Sequence, residues 1–166
     1  LESTEKFSSR GGCKRKYVLR GMPNTTFKEY ALQKAICKYI EMKYPHVLFL
    51  SDTVASVRLT PQQGARNKAI QKRDFSCPDL IILQPNDKFH GLMMELKVNS
   101  PYTKEGNLKK QSVEVKVAGK VVDKYDHLEE QDRALRKLRE RGYWADFVWS
   151  IDDAMRIIDK YVGNLL

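Results

Sequence analysis

The sequence predicts an α/β domain in which a mixed central sheet is flanked by helices. Three observations carry this. Residues 79–83, Asp-Leu-Ile-Ile-Leu, are a short apolar run directly after Pro78, and such a run reads as a buried strand. Residues 92–98 alternate like a second strand: Leu92, Met94, Leu96 and Val98 point one way, and Met93, Glu95 and Lys97 point the other. Helical stripes precede and follow this pair, so the element order is helix, strands, inserted segment, helix, strand, helix.

The elements follow in chain order. Residues 1–24 are polar and basic in their middle, with Arg10, Lys14, Arg15, Lys16 and Arg20, and read as a largely flexible arm that rests on phosphates or is simply a tail. The domain proper is expected over 25–166. Residues 26–43 form the first helix, with apolar side chains at Leu32, Ala35, Ile36, Tyr39 and Ile40, and Tyr44-Pro45 ends it. Residues 47–50 and 54–59 are short strand candidates. Residues 60–75 carry Arg66, Lys68, Lys72 and Arg73 with little core-forming material, and read as a surface loop or a short basic helix. Residues 84–91 contain Pro85, Asn86, Asp87 and Gly91 and connect the two motif strands as a hairpin.

A lysine-rich insertion at about 99–124 includes Lys104, Lys109 and Lys110 and an alternating piece at Val113, Val115 and Val117, the signature of a small hairpin. Residues 127–141 form the second helix, stopped by Gly142. Residues 144–149 are a strand. Asp152 is expected to cap a last helix running to Tyr161, with Gly163 after it.

Composition narrows the function class. With 166 residues and 42% hydrophobic content the chain suits one folded domain. A formal net charge of +9, from 30 Lys+Arg against 21 Asp+Glu, points to a polyanionic partner, of which nucleic acid is the commonest. No stretch is apolar and long enough to span a membrane. Cys13, Cys37 and Cys77 are scattered and odd in number, which fits a reducing cytoplasm better than a disulfide framework. His46, His90 and His127 lack zinc-ligand spacing, and no Gly-rich loop ends in Lys-Ser/Thr, so neither a zinc hydrolase nor a nucleotide cofactor is expected.

The chemistry concentrates at the paired strands. A hairpin brings Asp79 close to Glu95 and Lys97. Two carboxylates and a lysine at one spot suit a hard divalent cation and a positioned water. Two further polar side chains fall on apolar helix faces. Glu29 lies three residues before Leu32 and seven before Ile36; Gln131 lies three after Leu128 and four before Leu135. A buried carboxylate or amide needs a partner. Glu29 has a competing explanation, because Thr26-x-x-Glu29 is a capping-box pattern. Gln131 has one too, at the frayed first turn of its helix.

These residues resemble the PD-(D/E)xK nuclease pattern, and in detail its VRR-NUC branch of virus-type replication and repair nucleases. The resemblance rests on Glu29-x-x-x-Gln33 in an early helix, Pro78-Asp79-Leu80, Glu95-x-Lys97, and Gln131 with Leu138 and Gly142-Tyr143. Asp152-Asp153-Ala154 and Tyr161-Val162 match its tail. It spans roughly residues 27–162. Two departures stand out: Ser76-Cys77 replace the glycine before Pro-Asp, and the stretch from Lys97 to Gln131 is long.

The resemblance implies a restriction-endonuclease-like fold and a metal-dependent DNA endonuclease. It implies selectivity for branched DNA, a homodimer, and a bacterial or phage-infected host cytoplasm. Asp79 and Glu95 are expected to bind Mg²⁺ or Mn²⁺ directly with the Leu96 backbone carbonyl, since oxygen donors suit those ions. Glu29 is expected to reach the cation or a water beside it. Lys97 is expected to orient the attacking water or stabilise charge on the phosphate, and Gln131 to hold that geometry. Lys14, Arg15, Lys16, Arg66, Lys68, Lys72, Arg73, Lys104, Lys109 and Lys110 are expected to track DNA phosphates. The alternatives are a nucleic-acid-binding module on the same fold that does not cut, and a restriction-type nuclease that reads sequence.

Overall fold

The computed structural model describes residues 24–52, 59–73, 75–117 and 120–163. Residues 1–23 of the arm expected over 1–24, and residues 54–58 of the strand candidate at 54–59, lie outside them, while Asn24 opens the first helix. The elements are α1 (Asn24–Lys43), β1 (Phe49–Ser51), α2 (Pro61–Ile70), β2 (Leu80–Ile82) and β3 (Leu92–Leu96). They continue as β4 (Ser112–Val117), β5 (Lys120–Asp126), α3 (His127–Arg139), β6 (Trp144–Val148) and α4 (Ile151–Val162).

A mixed sheet of order β1-β2-β3-β6 forms the centre, as expected. The β1–β2 and β2–β3 pairs are antiparallel and β3–β6 is parallel. Both faces are covered, which explains why every residue of β3 is buried. On one face α1 and α4 supply Ile36, Ile40, Ile158 and Tyr161 against Leu80, Ile82, Leu92, Met94 and Leu96. On the other, α3 supplies Leu128, Leu135 and Leu138 against Met93, Ala145 and Phe147. The alternation read in residues 92–96 thus separates two cores rather than a core from solvent.

Several boundaries move. The strand ends at Leu96, leaving Lys97 and Val98 outside the ladder, although Lys97 N still donates to Val148 O at 2.8 Å. Ala35 is exposed, so the apolar stripe of α1 is narrower than its sequence suggests. The basic segment after residue 60 is a helix, α2, opened by a Thr60 capping box with Gln63 and by Pro61 in its first turn; it buries no residue. The inserted hairpin is longer than the valine pattern implies, and β5 runs directly into α3. Ser150, not Asp152, caps α4: Asp153 N donates to Ser150 Oγ at 3.1 Å, which puts Asp152 inside the first turn where its charge faces the helix N-terminus.

Gly142 takes φ +80° after α3, where Tyr143 N returns to Leu138 O at 3.2 Å. A β-carbon there would stand 2.8 Å from the His90 ring, so both the backbone conformation and the space favour glycine.

Candidate active site

The antiparallel β2–β3 register pairs Leu80 with Met94 and Ile81 with Met93. One step further sets Asp79 against Glu95 at the same end of the sheet, on the face that α3 covers. There Glu29, Asp79, Glu95, Leu96, Lys97, Gln111, His127 and Gln131 line one cleft of about 280 Å³. All five side chains expected to act together are in this set. Glu29 comes from α1 on one face of the sheet and Gln131 from α3 on the other.

Four of the five side chains are held by hydrogen bonds. Asp79 Oδ2 accepts from Leu96 N at 2.7 Å, which locks the carboxylate across the hairpin. Glu95 is 4% exposed and Gln131 6%. Lys97 Nζ donates to Glu95 Oε1 at 3.0 Å, and Gln131 Nε2 donates to the same oxygen. Gln131 is therefore a buried partner of the carboxylate rather than a frayed end. Thr26 lies inside α1 and not at its N-cap, so the capping-box explanation for Glu29 does not apply.

Burial dominates the electrostatics. It raises the Glu95 pKa from its ordinary 4.5 to about 8; neighbouring Asp79 adds to this, and the Lys97 ammonium opposes it without prevailing. Asp79 is pushed up by burial against the pull of the Leu96 N–H and Lys97. Glu29 is pushed up by burial as well, with Lys97 lowering it and Asp79 raising it. Three carboxyl groups that resist ionisation within one cleft need positive charge to become carboxylates together.

Among the described residues no group of three or more His, Cys, Asp and Glu side chains is placed to chelate a metal ion. The donor set that remains is two carboxylates, Asp79 and Glu95, with backbone oxygen beside them. That set fits Mg²⁺ or Mn²⁺, because such ions keep several waters and take one or two carboxylates. A second observation agrees: Gln131 Oε1 is buried with no hydrogen-bond partner among the described residues, in the wall of this cleft.

Two contributors were not legible. Gln111 and His127 line the cleft from the two ends of the β4–β5 hairpin, and nothing in their local pattern marks them. Burial, and then Lys97, lowers the His127 pKa from its ordinary value. Gln33, matched by the resemblance alone, ties α1 to the motif: its Nε2 donates to Ser51 Oγ at 2.7 Å, Asp52 O at 2.9 Å and Asp79 O at 3.3 Å. It positions the backbone that carries Asp79.

The proposed phosphate-tracking residues are dispersed. Lys14, Arg15 and Lys16 lie outside the described residues. Arg66, Lys68, Lys72 and Arg73 are exposed on and after α2, and Lys68 borders a groove with Asp52, Cys77 and Pro78, beside the approach to Asp79. Lys104, Lys109 and Lys110 are exposed, Lys109 Nζ donating to Ser100 O at 2.8 Å.

A solved structure described as "VRR_NUC domain protein" superposes with a TM-score of 0.50 at 15% identity, over 82% of this chain and 88% of that one. The fold is similar to that of a VRR_NUC domain protein. At this identity the likeness speaks for the fold, and it agrees with the fold that the motifs implied. No family model and no curated protein matches the chain. The VRR_NUC-like fold is what brings the ends of β2 and β3 together with one helix from each face. Among the described residues, no helix is long and apolar enough to cross a membrane.

Proposed function

We propose that the chain is a Mg²⁺- or Mn²⁺-dependent DNA endonuclease that selects branched DNA. The observation that carries this is the convergence of Glu29, Asp79, Glu95, Lys97 and Gln131 on one cleft in a VRR_NUC-like fold. Asp79 and Glu95, with the Leu96 carbonyl, would hold the cation, and Glu29, in the lining of the same cleft, would reach it or a water beside it. A bound divalent cation supplies Lewis-acid stabilisation of the charge that develops on the phosphoryl oxygen and makes water easier to deprotonate.

The protein's own residues do the rest. The Leu96 N–H fixes the Asp79 carboxylate in one rotamer. Gln131 and Lys97 both fix Glu95 through the same carboxylate oxygen. Lys97 places an ammonium in the cleft, where it orients the attacking water or stabilises charge on the phosphate. Burial of the group keeps these interactions strong. The surrounding cations on α2 and the 99–111 segment would steer the backbone of the DNA, which carries no sequence information, so that shape decides the substrate. A homodimer suits a four-way junction, whose scissile sites are related by symmetry.

The test is a cleavage panel of junction, flap, splayed-arm, nicked and linear DNAs with Mg²⁺, Mn²⁺ or EDTA. Cutting of branched substrates that needs the cation and disappears in Asp79→Ala and Glu95→Ala is expected, with binding retained in both variants. Binding without cutting in every arm would leave a nucleic-acid-binding module. Cutting confined to a short sequence in linear duplex would indicate a restriction-type enzyme.

A further inference from the structure

We propose that Tyr125 and His127 form a nucleobase-stacking subsite beside the cleft, which takes an unpaired base next to the scissile phosphate. The proposal rests on the nuclease reading and names how that site would select a branch.

The β4–β5 arm pairs only within itself, apart from the central sheet. Its base is built into the cleft wall. Gln111, just before β4, and His127, just after β5, both line the cleft. His127 N donates to Gln111 O at 2.9 Å. Asp126 Oδ1 accepts from Gln111 N and Leu128 N at 3.1 Å and from Glu129 N at 3.2 Å. One carboxylate thus clamps the arm to α3, the helix that carries Gln131.

Tyr125, next to Asp126 in β5, is 38% exposed. Its ring centroid lies 6.3 Å from that of His127 in an edge-on arrangement. An edge-on contact occupies at most one of the four ring faces of the pair, and the partial exposure of Tyr125 leaves side-chain surface open to a third ring. His127 faces the cleft and Tyr125 faces solvent, which makes a continuous aromatic step from the carboxylates to the outside.

Bases within a duplex are already stacked on their neighbours. A protein ring competes for a base only where pairing is interrupted, and it does so with little regard to sequence, because every base has a π-face. An aromatic step at the edge of a phosphodiester-cleaving cleft would therefore favour a site where the strand leaves the duplex. Exposed Lys110, next to Gln111, adds a cation for the adjoining phosphate.

The experiment uses the full chain in EDTA and a splayed-arm DNA with 2-aminopurine at the first unpaired position. Stacking should quench its fluorescence on binding. Tyr125→Ala should remove the quench and weaken splayed-arm binding on the order of tenfold, with linear-duplex binding unchanged. Tyr125→Trp should restore both. Val121→Ala, at an exposed position on the same arm, should behave like the parent. An unchanged quench and affinity in Tyr125→Ala would overturn the subsite while the nuclease reading stood on its own cleavage test. Failure of the parent to bind any DNA would overturn both.

Discussion

Gln131, from α3, donates to the same Glu95 oxygen that Lys97 reaches at 3.0 Å. One buried carboxylate oxygen therefore carries two donors from different elements, and still its pKa stands at about 8. The charge and the hydrogen bond of Lys97 do not offset desolvation and the neighbouring Asp79. A site of this kind is incomplete electrostatically until a further positive charge enters.

That imbalance gives the metal-free protein a pH-dependent stability. A carboxyl whose folded pKa is raised favours folding fully below its unfolded value, near 4.5, and loses that contribution as pH climbs through about 8. Asp79 and Glu29 shift in the same direction. The melting temperature in EDTA should therefore fall between about pH 5 and about pH 9, by the equivalent of a few kcal/mol. Glu95→Gln should flatten most of that slope, and Mg²⁺ at about pH 8 should recover stability in the parent by favouring the ionised carboxylates. A flat profile in EDTA, measured by thermal denaturation, would contradict the assigned burial of charge.

Gln131→Ala leaves Glu95 with Lys97 alone and opens space beside it. Partners that orient a metal-binding carboxylate typically contribute 10- to 100-fold to metal affinity or activity, and a loss of about that size is expected here. Mg²⁺ titration should show the loss as a higher cation requirement. Gln131→Glu is the sharper variant, because it places a further acid against Glu95 and should raise its pKa. Activity should then shift to higher pH. An unchanged cation requirement in both variants would leave Gln131 as core packing.

Glu29 separates two further possibilities. Glu29→Gln keeps the shape and removes the charge. Loss of cleavage with an unaltered melting temperature is the expected result, since Glu29 lines the cleft and α1 begins five residues earlier, at Asn24. A lower melting temperature with full activity per folded molecule would make the residue structural.

Lys97→Arg keeps the charge but does not readily release a proton. If Lys97 acts by charge alone, this variant should retain substantial activity and Lys97→Ala should lose on the order of 10² to 10³-fold. If Lys97 relays a proton, both should be inactive. Single-turnover rates across pH distinguish the two.

The strands and their partnership were legible because Asp79, Glu95 and Lys97 sit in short, strongly patterned segments whose period fixes which residues share a face. Glu29 and Gln131 were legible because each violates an apolar stripe. Asp152 misled as a cap because an acid in the first helical turn and an acid at the cap carry the same local signal; Ser150 decides it through its own hydrogen bond to Asp153 N. Gln111 and His127 were not legible, because the hairpin between them closes a loop whose geometry depends on the Asp126 clamp and not on any spacing. The uncovered helix α2 was undecided for the same reason: with no buried face, its sequence has no period to read.

DNA engagement supplies the last prediction. Arg66, Lys68, Lys72 and Arg73 are exposed around α2, and Lys68 borders a groove that Pro78, the neighbour of Asp79, also lines. Phosphate neutralisation releases counterions, so binding should weaken linearly in a log–log plot against salt, with a slope of about 0.9 per duplex phosphate contacted. Replacing Lys68 and Arg73 together with Ala should reduce that slope by up to about two and weaken binding equally for branched and linear DNA, because contacts to phosphate position the strand without reading it. Fluorescence anisotropy between about 50 and 200 mM salt covers the range in which the effect is large. A salt-independent affinity would remove nucleic acid as the partner of this basic surface. A salt-dependent affinity with an unchanged slope in the double variant would move the DNA path away from α2 and towards Lys104, Lys109 and Lys110.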